Sequence, residues 1–228
     1  MANLIAINAI KDKKIPNDDL INQFIKEFKD KESQNEKVVQ LAFDTYDNST
    51  LEGILIKVIL LNQIYSAGLA DNQLSDEKRK EFDIKDKKYT VDVRTMAEHI
   101  KGLAEEFEKC KTDEDIIGLV GKVRAINKYK DSYSFATKYV AWSFSKSELN
   151  APIVDSYVKA VLYWFNVAYS FCDFDFTKTS LEDYKQFCKV FNAFKDKYGQ
   201  RKSSKEMDMF LWAYAKYYLL GDRGVKFG

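Results

Sequence analysis

Asp155 is the residue on which chemistry can be built. It stands in the run I-V-D-S-Y-V (residues 153–158), just after Pro152, one of two prolines in a chain of 228 residues. A carboxylate placed where apolar packing begins has two uses. It caps a helix, which contributes about 1 kcal/mol. Alternatively it lies in a partly dry cleft, where it stabilises developing positive charge and orients water. The two uses do not exclude each other.

A second stretch carries cations. Residues 121–146 hold Lys122, Arg124, Lys128, Lys130, Lys138 and Lys146 against one acid, Asp131, with Tyr129, Tyr133, Phe135, Tyr139 and Trp142 interleaved. Cations mixed with aromatics and hydroxyls suit a phosphate backbone. A helix starting at Ser132 or Ser134 would add free amide groups for a phosphate. The plainer account is a solvated basic face over a core-facing aromatic stripe.

Composition removes other chemistries. One histidine, His99, excludes His-rich metal sites and disfavours a Ser-His-Asp triad. Cys110, Cys172 and Cys188 have neither metal nor redox spacing, so they read as reduced thiols of a cytoplasmic protein. No metal and no cofactor is expected. The N-terminal MANLIAINAIKDKK lacks the features of a secretory signal, and no apolar run is long enough to span a bilayer. A formal charge of +1 provides no global field, so any basic surface is local.

The elements that must position these residues read as helices. Two prolines and nine glycines are too few for the turns of a sandwich or barrel. Helical spacing runs through Leu20, Ile21, Phe24, Ile25 and Phe28, behind a cap at Asn17 or Asp18, and a second helix covers Glu36–Thr45. Residues 50–67 are the most apolar helix, opened by Thr50, closed by Gly68 and expected at the centre of the core. Asn62 and Gln63 near its end either bond neighbouring helix ends or face a cleft. Residues 71–90 read as a charged excursion. Helices then follow over 91–110, 113–120, from 132 or 134, and from 155 to 168. The last two cover 180–197, ended by Gly199, and a segment opened by Ser203 or Ser204. The result is all-α, with nine or ten helices.

The run from Ser134 to Val158 resembles the helix-hairpin-helix DNA glycosylases of the 8-oxoguanine glycosylase and endonuclease III type. Their short apolar-Asp-Ser/Thr/Arg-x-Val/Ile motif is similar to I-V-D-S-Y-V, and the 17 residues from Lys138 to Asp155 are close to that family's lysine-to-aspartate gap. VILLNQIYSAGL resembles the early helix that borders the lesion pocket, and MDMFLWAYAKYY the C-terminal helix of some bacterial relatives. The likeness covers about residues 50–220. Where the family hairpin reads Leu-Pro-Gly-x-Gly, this chain has NKYKDSYSFA, and an alignment on Ala136 puts Ser134 at the lysine position. The four-cysteine cluster is absent, so no iron–sulfur centre is expected.

The resemblance implies two helical lobes with a cleft between them, lobe A being about 1–69 plus 151–228 and lobe B about 70–150. It implies a monomeric enzyme that flips a modified base from DNA and hydrolyses its N-glycosidic bond. Asp155 is the catalytic carboxylate and Lys138 a second catalytic candidate that would add lyase chemistry. Lys122, Arg124, Lys128, Lys130, Tyr133 and Ser134 would hold DNA. Asn62, Gln63, Tyr65, Trp142, Trp212 and Lys216 would line the base pocket. Oxidised purines, alkylated purines and hypermodified pyrimidines all remain open as substrates, and repair and phage defence as roles. The alternatives are a non-catalytic nucleic-acid-binding module and a protein-interaction scaffold.

Overall fold

The computed structural model describes residues 15–65, 69, 92–126, 132–199 and 201–219. Among them the fold is all-α, with no strand. The helices are α1 (Asp18–Thr45), α2 (Leu51–Tyr65), α3 (Val93–Gly102), α4 (Ala104–Lys109), α5 (Asp113–Arg124), α6 (Tyr133–Ser143), α7 (Ser156–Tyr169), α8 (Tyr184–Tyr198) and α9 (Ser204–Ala213). A 3-10 turn, Thr179–Glu182, precedes α8, and α9 runs on as a π-helical turn, Tyr214–Leu219. None of these helices is long and apolar enough to cross a membrane.

Local signals set most helix starts. Asn17 Oδ1 accepts the Leu20 N–H at 2.9 Å, and Thr50 Oγ1 accepts that of Gly53 at 3.2 Å. Thr112 with Asp115, and Ser203 with Glu206, form reciprocal capping boxes. Three expectations need correction. Residues 32–36 contain no Gly or Pro, so the two expected N-terminal helices are one continuous α1. The helix expected over 91–110 breaks at Leu103, directly after Gly102. Gly121, expected to end a helix, lies inside α5.

The chain divides into two compact units, 1–33 with 152–228, and 34–151. The expected lobe break near residue 70 differs from this division, which falls inside α1, because α2 packs on α3 and α6 within the second unit.

In the 34–151 unit, Ile54, Val58 and Leu61 of α2 are fully buried, as are Met96 and Ile100 of α3 and Phe135, Tyr139 and Val140 of α6. The expected central burial of α2 holds for this inner face. Ile56 and Ile59, on its other face, are 36% and 41% exposed.

In the other unit the core is aromatic. Phe165 of α7 lies 5.4 Å from Phe194 of α8 and 5.4 Å from Tyr214, while Phe24 of α1 meets Tyr214 edge-on at 5.4 Å. Each such ring removes a large apolar area from water and fixes its neighbour's tilt. Gly199 ends α8 where a side chain would not fit: a Cβ there would lie 2.3 Å from Met207 Sδ.

Candidate functional site

Asp155 ends the non-helical segment 151–155 and opens α7. Its backbone is extended (φ −129°, ψ 151°), and its Oδ1 accepts the Tyr157 N–H at 2.8 Å. Val154 and Val158 are buried on either side of it, while Asp155 itself is half-buried. The approach is pinned one turn earlier, where the Pro152 carbonyl accepts the buried Tyr184 hydroxyl at 3.0 Å. A carboxylate held by a helix amide on a pinned segment has a fixed direction, which either use of Asp155 requires.

Lys138 belongs to the other unit, in the middle of α6, and is 6% exposed. Its Nζ donates to Ser134 Oγ one turn earlier, at 2.8 Å, and lies 5.8 Å from the Tyr65 ring. Tyr65, from the end of α2, lies 6.5 Å from Trp142. Ser134, Lys138 and Trp142 recur every four residues, so α6 presents them on one face, and Tyr65 joins them. Trp142 is 4% exposed. An amine among aromatic rings is held by cation–π attraction when charged and is a nucleophile when neutral.

Other expected site residues are engaged differently. Asn62 uses its amide locally: Oδ1 accepts the Leu69 N–H at 3.0 Å and Nδ2 donates to the Leu69 carbonyl at 3.4 Å. The amide is thus engaged by the chain just beyond its own helix. Gln63, next in sequence, is exposed. Trp212 and Lys216 lie in the same unit as Asp155. Lys216 Nζ sits 4.1 Å over the Trp212 ring and bonds Glu32 Oε1 at 3.1 Å, while Trp212 meets Phe28 edge-on at 5.4 Å. The Tyr217 hydroxyl donates to the same Glu32 oxygen at 2.9 Å. Trp212 and Lys216 thus join a network tying the C-terminal helix to α1.

In the basic segment several cations have partners. Lys122 pairs with Glu106 at 2.6 Å, Lys146 with Asp44 at 2.8 Å, and the Arg124 guanidinium lies 4.2 Å from the Tyr133 ring centre, with Tyr133 itself buried. Acids from α4 and α1 offset charges that a count along the chain leaves unopposed. Lys128 and Lys130 lie outside the described residues. His99 is structural: its Nε2 is 2.9 Å from the Lys122 carbonyl. Among the described residues, no group of three His, Cys, Asp or Glu side chains is arranged to hold a metal ion.

One buried charge escaped the reading of the sequence. Lys57, on the inner face of α2, is 2% exposed. Its Nζ donates to the carbonyls of Tyr46 (3.2 Å) and Asp47 (3.0 Å) and to Asn48 Oδ1 (2.5 Å). Asn48 Oδ1 also accepts the hydroxyl of the fully buried Tyr139 at 2.7 Å. Burial pushes the Lys57 amine down to about 8, against the opposing pull of the Asp47 carboxylate. The signal was present: Lys57 is the lone charge in G-I-L-I-K-V-I-L-L.

Residues 20–147 match the family model described as the HI_0787 N-terminal domain, more than half of the chain, and the chain belongs to that family. The matched region contains Lys57 and Lys138 and stops short of Asp155. A Haemophilus influenzae protein described as "Uncharacterized protein" is 29% identical over 189 residues, covering 81% of this chain and 87% of its own. No solved structure matches.

Proposed function

We propose that this protein is a DNA glycosylase that extrudes a modified base and hydrolyses its N-glycosidic bond. The observation that carries the reading is Asp155: a half-buried carboxylate in I-V-D-S-Y-V, aimed by the Tyr157 amide at the head of α7. Cleavage of the base–sugar bond builds positive charge on the deoxyribose. A fixed carboxylate stabilises that charge and orients the attacking water. Lys138, 17 residues earlier among Ser134, Tyr65 and Trp142, supports the reading as the second catalytic group. If its amine attacks the sugar carbon, the enzyme is also a lyase. The two-lobed, glycosylase-like arrangement is part of the same proposal, as are a DNA partner, a monomeric state and a cytoplasmic location.

The test uses duplex DNA carrying oxidised purines, alkylated purines or hypermodified cytosines, with freed bases read by mass spectrometry. Wild-type protein releases at least one class. Asp155→Asn lowers release at least about 100-fold and keeps DNA binding, and unchanged release would remove the mechanism. Borohydride trapping of a protein–DNA adduct, lost in Lys138→Gln, assigns the lyase step. DNA binding with no base released from any substrate would make this a non-catalytic nucleic-acid-binding module. Absence of DNA binding would leave the interaction scaffold.

A further inference from the structure

The 34–151 unit carries an open pocket of about 260 Å³ that the glycosylase proposal does not use. Its wall is part aromatic and part polar. Phe43, Phe107 and Phe144 line it, and the Phe107 and Phe144 rings are parallel to within 4°, with centroids 6.2 Å apart. Flat apolar walls of this kind favour a flat ligand.

The polar groups narrow the ligand further. Lys57 lines the cavity, but its three N–H bonds already go to Tyr46, Asp47 and Asn48. It has no donor left for an anion. Two carboxylates also line the cavity, Asp47 and Glu108. With Lys57 they leave one negative charge in excess, which repels phosphate and carboxylate groups. Asp47 Oδ1 is engaged by the Ser49 amide and hydroxyl at 2.8 and 2.5 Å. Glu108, exposed on α4, makes no hydrogen bond or ion pair among the described residues.

Asn48 is fixed in orientation. Its Oδ1 accepts from both Lys57 and Tyr139, which sets the amide flip and leaves Nδ2–H₂ as its remaining donor. The cavity therefore offers one amide donor, one uncommitted carboxylate and aromatic faces.

We infer that this cavity binds an uncharged guanine-type base or nucleoside. Glu108 accepts the paired ring N–H and exocyclic N–H, a fork that matches a carboxylate as a guanidinium does. Asn48 donates to the ring carbonyl, and the base lies against Phe107 and Phe144. Lys57 acts at one remove: it clamps the 46–48 segment and so positions Asn48. The inference stands independently of Asp155 and Lys138.

The test is nucleoside binding to the full chain, followed by saturation-transfer NMR and equilibrium dialysis. Guanosine binds saturably. Inosine, lacking the exocyclic amine, binds about tenfold more weakly, and adenosine and guanosine monophosphate weaker still. Glu108→Gln weakens guanosine about tenfold and reduces its margin over inosine, with an unchanged circular dichroism spectrum and melting temperature. Phe144→Ala weakens every nucleoside alike. Adenosine binding as well as guanosine, guanosine binding untouched by both variants, or no saturable guanosine binding up to about 1 mM would each overturn the inference.

Discussion

Replacing Lys57 with methionine tests how the 34–151 unit tolerates a buried cation. The substitution keeps the length of the side chain and removes its charge. It takes the Nζ donor from the carbonyls of Tyr46 and Asp47 and from Asn48 Oδ1, which keeps the Tyr139 hydroxyl. Tyr46 and Asp47 are exposed residues, so water reaches part of this segment. At neutral pH the loss is expected at about 1–3 kcal/mol, because relief from burying a charge offsets part of the lost bonding.

The pH dependence is sharper. The amine titrates at about 8 in the folded protein against an ordinary 10.5. Between these values the unfolded chain holds the proton and the folded chain releases it, so stability rises with pH. Below 8 both states are charged and this contribution is gone. From about pH 7 to about pH 9.5 the wild type gains about 2 kcal/mol from this one group, and Lys57→Met gains none of it. Urea unfolding of both proteins, followed by circular dichroism at the two pH values, isolates the effect, since other titrating groups cancel in the difference. The gap between the proteins should widen by about 2 kcal/mol. A constant gap would refute the burial argument.

The other predictions concern the 152–228 segment. Cys172, whose thiol burial pushes up to about 11, should react with iodoacetamide at neutral pH at least about tenfold more slowly than a free thiol, as followed by mass spectrometry. Gly199→Ala should cost about 1–3 kcal/mol in urea unfolding, because its Cβ meets the buried Met207 sulfur while the backbone, at φ −130°, accepts alanine. Phe194→Ala, removing a fully buried ring packed near Phe165 and Phe171, should cost about 3–5 kcal/mol by the same measurement.

How much was legible in the sequence depended on the range of the interaction. Caps at Asn17, Thr50, Asp155 and Ser203 were readable because donor and acceptor lie within three residues. Helical spacing found the buried stripe of Ile21, Phe24, Ile25 and Phe28 on α1 for the same reason. The continuity of α1 through 32–36 was missed because polar residues were taken as a break where no backbone-breaking residue stands. The ion pairs of the basic segment were not readable because Glu106 and Asp44 come from other elements. Lys57 was overlooked because its three acceptors, at positions 46–48, meet it only when the loop before α2 folds back along that helix. Asp155 itself was found, as a residue and as a cap, because both facts are local.

The π turn at Tyr214–Leu219 bears on how this chain can be compared with relatives. Its bonds reach from i to i+5 and not i+4, so it accommodates one more residue than an α-turn would. Within it the consecutive Lys216 and Tyr217 both reach one oxygen of Glu32. A homologue lacking a single residue here would regain a regular helix and keep its inner stripe in phase to the end, but would present only one of those two side chains to the acid. Pairing C-terminal positions by gapless sequence matching would then be out of step by one from this turn onward.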